Sequence, residues 1–158
     1  MINNHSRMVG FSFGVTSGTI TTLGIMVGLY SSTQSFLAVI GGIIAVAIAD
    51  AFSDAMGIHV AEEAELKHTK KEVWEATTAT FFTKLVYTLT FALPFLVFPM
   101  PTAVLVCIAY GLVVLTAFSY YLGTKSEHSV IGTIGEHVLI AIAVIIITYY
   151  VGTLVANL

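Results

Sequence analysis

Two aspartates, Asp50 and Asp54, stand inside a run of apolar residues, and no Asp, Glu, Lys or Arg occurs from Met8 through Ala49. A carboxylate in such surroundings is costly to bury and usually faces a pathway or a partner. Residues four apart share one helix face, so this spacing stacks the two acids about 6 Å apart along an axis. Such a pair can take up a hard or borderline divalent cation, or pass a proton. The stripe continues through Gly57, Ala61 and Glu65, with Glu62 beside it, about 12 Å beyond Asp54. His59 lies at the helix mouth, and Met56 offers a thioether to a borderline metal. Asp50, Asp54, His59, Glu62 and Glu65 are therefore the candidate ion ligands. Lys84 is the candidate counter-ion for one of the two aspartates, or it snorkels toward an interface. If the pair is purely structural, Asp50 and Asp54 serve only to hold Lys84. Glu136 and His137 are either secondary metal ligands or residues that favour a helix N-terminus.

The chain of 158 residues is 57% hydrophobic and 9% charged, and its mean hydropathy is +0.94. A soluble domain carries about 25% charged residues, and a disordered chain has low hydrophobicity. Neither class fits. Six Lys and Arg against nine Asp and Glu leave no basic excess to attract nucleic acid. A single cysteine, Cys107, excludes an intramolecular disulfide framework and a multi-cysteine metal cluster. With Met26 and the Tyr149–Tyr150 pair, it reads as a packing residue. No P-loop, nucleophile elbow or H-E-x-x-H motif occurs, so an enzyme is not expected and neither is ATP-driven transport.

These properties predict an all-α integral membrane protein. A spanning helix needs about 20 mostly apolar residues. The first uncharged run is broken by the polar Ser31-Ser32-Thr33-Gln34-Ser35. The run from Leu85 through Thr124 is broken by Pro99-Met100-Pro101. Five spans result, at 9–30, 36–60, 76–98, 102–123 and 133–154, in a single domain with a short cytosolic connection at 61–75. The first span reads as a retained helix rather than a cleaved leader.

Arg7, Lys67, Lys70, Lys71 and Lys125 all fall on one side of this arrangement, and the opposite loops carry no Lys or Arg. By the positive-inside rule the N-terminus is cytosolic and the C-terminus faces away. His5, His59, His68, His128 and His137 gather on the same cytosolic side, as do Glu127 and the other glutamates. Helix 1 carries Gly10, Gly14 and Gly18 at spacings of four, a stripe that lets helices approach closely in lipid. The expectation is a homodimer through that stripe.

The order of several motifs resembles the vacuolar iron transporter family, which includes plant nodulin-like members. Gly14-Val15-Thr16-Ser17-Gly18 is followed by Thr21-Thr22-Leu23-Gly24 and Gly28, as in the family's first helix. Ser53-Asp54-Ala55-Met56-Gly57-Ile58-His59-Val60-Ala61-Glu62-Glu63 is similar to the end of its second. Phe91-Ala92-Leu93-Pro94-Phe95 and Thr148-Tyr149-Tyr150-Val151-Gly152 resemble its third and last. The resemblance covers nearly the whole chain. It implies a homodimer that exports cytosolic Fe²⁺ or Mn²⁺ in exchange for protons, along a path at the dimer interface. Ser17 stands where the family has an acid, and Asp54 where it has a methionine. A carboxylate has thus moved between facing helices, and Ser17 and Met56 join Asp50 and Asp54 on the expected path. The family's metal-binding insertion between helices 2 and 3 is absent; Glu62, Glu65 and His68 are a reduced substitute for it.

The expected activity is secondary transport of a divalent transition metal, with no permanently bound cofactor and with membrane lipid, metal ion and protons as partners. The rivals are a proton or monovalent-cation pathway through Asp50, Asp54 and Lys84, and a non-transporting membrane scaffold. A prokaryotic plasma membrane is the expected location, with an organelle membrane as the alternative.

Overall fold

The computed structural model describes residues 4–125 and 129–158. Glu127 and His128 lie outside them. The described chain is helical: α1 (Asn4–Thr33), α2 (Phe36–Ala64), α3 (Lys70–Thr90), the short α4 (Pro94–Val97), α5 (Met100–Gly123) and α6 (Val130–Val155). Helices α1, α2, α5 and α6, together with the run Lys70–Val97 that joins α3 to α4, are long and apolar enough to cross a membrane.

Helices α2, α3 and α6 start where the sequence supplies a side-chain cap. The Ser35 hydroxyl accepts from Ala38 N and opens α2; Ser129 does the same for Gly132 N at α6. Thr69 and Glu72 form a reciprocal capping box at α3. The α1–α2 turn passes through Gln34 at φ 49°, and both its backbone and its side-chain amide donate to Tyr30 O. That double bond satisfies one orphan carbonyl at the end of α1.

The helices exceed the expected spans. α1 begins five residues earlier than 9, α2 runs on to Ala64, and α3 begins at Lys70 rather than 76. The connection expected at 61–75 shrinks to the residues between Ala64 and Lys70. Apolar runs mark where lipid ends, whereas helices stop at caps, so polar turns such as Glu62–Ala64 continue the coil into solvent. The third span is also broken. Pro94 has no N–H to give, and Phe91, Ala92 and Leu93 donate three residues back to Thr88, Leu89 and Thr90. The helix tightens there before α4 resumes it.

α1 is the centre of the bundle and packs against α2, α3, α5 and α6. Half of its most apolar stretch is buried inside the protein, against 11% for α6, so α1 is an inner helix and α6 an outer one. Leu23, Met26, Ile43, Phe91 and Cys107 fill the core. The α1–α3 seam is held by small residues and hydroxyls. A Cβ at Gly10 would lie 2.2 Å from Ala76 O, and one at Gly14 would press on Thr83. The Tyr87 hydroxyl donates to Thr19 Oγ1 at 3.1 Å, and the Thr88 hydroxyl to Thr22 Oγ1 at 3.3 Å.

This seam corrects the expected dimer contact. Gly10, Gly14 and Gly18 face Ala76, Thr83 and Tyr87 of the same chain, so α3 already occupies the stripe. A different stripe is open. Gly41, Ala45, Ala49, Ser53, Gly57 and Ala61 of α2 are all exposed, and a Cβ at Gly41 or Gly57 would meet nothing.

Candidate functional site

Close packing of α1, α2 and α3 brings one ionic cluster together. Lys84 comes from the middle of α3 and is fully buried. Its ammonium reaches Asp54 Oδ2, lies 2.5 Å from Asp50 Oδ2, and donates to Ser17 Oγ at 2.7 Å. The Ser17 hydroxyl in turn donates to Asp54 Oδ2 at 2.6 Å. Asp50 Oδ2 is near the ammonium but off the line of a hydrogen bond, so that tie is Coulombic. Lys84 therefore serves both aspartates rather than one.

Two carboxylates and one ammonium leave a net negative charge. The Lys84 side chain has no exposure, whereas those of Asp50 and Asp54 keep 28% and 17%. The ammonium is the inner member and the carboxylates form the outer edge. A second cation approaching the cluster meets oxygen first. Burying ions costs several kcal/mol each unless they are paired, and the Ser17 hydroxyl helps to fill that requirement.

The other candidates lie elsewhere. Met56 is two residues beyond Asp54, about 200° round the helix; it is exposed and lines a groove between α2 and α3 with Phe52. His59 also turns toward α3. Its Nδ1 is 3.0 Å from Thr77 Oγ1, and its ring meets Trp74 edge-on at 4.8 Å. Thr77 donates its one proton to Val73 O, so His59 Nδ1 is the donor and Nε2 holds a lone pair. Glu62 is buried, and its Oε2 lies 3.7 Å from His68 Nε2, with Glu65 Oε2 3.4 Å from the same nitrogen. Glu62 and Glu65 thus both lie against His68 around the loop after α2.

Glu136 is exposed. His137 Nδ1 is 2.8 Å from Ser119 Oγ, whose proton goes to Leu115 O, so this ring too donates through Nδ1. These two threonine- and serine-anchored histidines were not readable from sequence; the partner hydroxyls lie eighteen residues away on neighbouring helices. Among the described residues, no group of three or more His, Cys, Asp or Glu is placed to hold a metal ion. The expected ligands therefore form separate stations: Asp50 and Asp54 with Lys84, His59 beside Trp74, Glu62 and Glu65 with His68, and His137 with Ser119.

The fold and this cluster define a helical protein with five candidate membrane spans and a half-buried carboxylate pair bridged by a buried lysine. No family model matches the chain, and no curated protein does.

Proposed function

We propose that this chain is a secondary transporter that moves a divalent transition metal, Fe²⁺ or Mn²⁺, out of the cytosol in exchange for protons. The carrying observation is the cluster in which a wholly buried Lys84 spans Asp50 and Asp54 while both carboxylates keep an open edge. The ammonium acts as a tethered resident cation. A dication arriving at the open edge competes with it for the same oxygens, because two like charges within a few ångströms in a medium of low polarity repel strongly. Metal and protons therefore compete for this cluster, and that competition couples the two fluxes. Ser17 holds Asp54 in place through both states.

The N-terminus lies in the cytosol, in accord with Arg7, Lys67, Lys70, Lys71 and Lys125 at one end of the bundle. Glu62, Glu65 and His68 sit at that end and gather the ion. The working unit is a homodimer across the open α2 stripe of Gly41, Ala45, Ala49, Ser53, Gly57 and Ala61, next to the carboxylate edge. The resemblance to vacuolar iron transporters supports the same assignment.

Metal uptake into proteoliposomes, with Fe²⁺ and Mn²⁺ in parallel and internal pH recorded, tests it. The expected result is metal flux with opposing proton movement, abolished in Asp54→Ala. Flux at the native rate in Asp54→Ala refutes the path. A second reading, a proton or monovalent-cation pathway, draws support from the pair's having no third acidic, histidine or cysteine ligand among the described residues. Proton flux without any metal would establish that reading instead.

A further inference from the structure

The outer surface of the α2–α3 hairpin carries two cavities that share a wall. The first, of about 440 Å³, is polar and lies under the loop after α2, with Glu63, His68 and Lys70 among its lining residues. The second, of about 390 Å³, is apolar and runs down the groove past Met56, Phe52 and Phe81. His59 and Trp74 line both. A polar cup thus sits directly over an apolar trough. From His59 to Phe52 the trough is about 10 Å long, enough for the upper part of one acyl chain. Phe52 and Phe81 form its floor, 4.7 Å between ring centroids. Trp74 is 59% exposed at the junction, the position that tryptophan favours at a membrane surface.

The chemistry of the cup identifies the headgroup. Glu63 and Lys70 carry opposite charges, and neither side chain takes part in a salt bridge among the described residues, in contrast to Arg7, Lys71, Lys84 and their acids. The cup therefore suits a zwitterion better than a net anion. His59 adds an acceptor: its Nδ1 proton is committed to Thr77, which leaves the Nε2 lone pair. An acceptor of this kind, beside a carboxylate, favours an ammonium that still has N–H to donate.

We propose that this groove binds one aminophospholipid of the phosphatidylethanolamine type. Its phosphate pairs with Lys70, its primary ammonium donates to Glu63 and to His59 Nε2, and one acyl chain lies in the trough. Phosphatidylcholine has the same charges but no N–H, so it fills the trough without satisfying the cup.

Trp74 is the single tryptophan of the chain, so its fluorescence reports this groove alone. The protein is reconstituted in phosphatidylcholine bilayers, and part of the lipid is replaced by brominated phosphatidylethanolamine, phosphatidylcholine or phosphatidylglycerol. Brominated phosphatidylethanolamine should quench at about tenfold lower mole fraction than brominated phosphatidylcholine, the scale of one charge-assisted hydrogen bond. Glu63→Gln should abolish that preference while quenching by brominated phosphatidylcholine stays as in the native protein, which shows that the groove is still formed. Soluble glycerophosphoethanolamine should not relieve the quenching, because it lacks the chain. Equal quenching by all three lipids, or a preference for phosphatidylglycerol, overturns the proposal. So does relief by the soluble headgroup, which would make the cup a headgroup pocket only. Absence of quenching by any lipid also overturns it, since protein would then cover the groove.

Discussion

Replacing Lys84 by methionine keeps the length of the side chain and removes its charge. The ammonium now lies between Asp50 at 2.5 Å, Asp54, and Ser17 at 2.7 Å, with no exposure of its own. Its loss leaves two carboxylates facing each other one helical turn apart with no cation between them. Removing one partner of a buried ion pair costs about 3–5 kcal/mol. The carboxylates retain 28% and 17% exposure, so water offsets part of this, and the lower end, about 3 kcal/mol, is expected. That is about a hundredfold shift in the folding equilibrium. Adding Asp54→Asn removes one of the stranded charges and should recover most of the loss. The assay is unfolding in mixed micelles of rising SDS fraction, followed by Trp74 fluorescence. A Lys84→Met protein as stable as the native one would refute the cluster, and so would a double variant no more stable than the single. The double variant also separates function from structure: a transporter folds but carries no metal, whereas a scaffold keeps its cellular role.

Gly10→Val should destabilise the fold by about 2–3 kcal/mol by forcing α1 from α3, because even a Cβ there would lie 2.2 Å from Ala76 O. Gly57→Leu points into open space and should leave the monomer within about 0.5 kcal/mol of native, while cross-linking shows the loss of the dimer. Cys107, buried and donating to Phe91 O at 3.2 Å, should resist a maleimide in mild micelles and react at once in SDS; rapid labelling of the native protein would show that the α3–α5 contact is open.

The number and order of the spans were legible because long apolar runs leave a helix little alternative in lipid. Thr69 and Glu72 cap α3 at Lys70, whereas hydropathy placed that start six residues late. Pro94 was visible, but its effect was not, because the tightened turn depends on where the freed carbonyls go. In the cluster, the four-residue spacing of Asp50 and Asp54 was enough to pair them, and Lys84 stood out as a cation in an apolar run. That one ammonium spans both acids depends on the approach of α3 to α1, which no local pattern encodes. The two small-residue stripes show the same limit. Gly10-Gly14-Gly18 and the α2 series from Gly41 to Ala61 read alike; only packing reveals that one is filled and the other open. Met56 misled because nearness in sequence to Asp54 is not nearness around a helix.

The central position of α1 has a consequence for how the protein is made. Helix α1 is synthesised before α3 and α6, yet it needs both for its packing. It must wait in the bilayer while its partners are still on the ribosome, and it is the least apolar of the five, with a hydropathy of 1.3 in its best stretch. Its own hydroxyls make that wait tolerable. Thr19, Thr21 and Thr22 donate to the carbonyls of Val15, Ser17 and Gly18 one turn back, bonds that a lone helix can form without any neighbour. Ser17 instead spends its proton on α2 and its lone pair on α3. It marks the point on α1 where solitary stability ends and assembly begins.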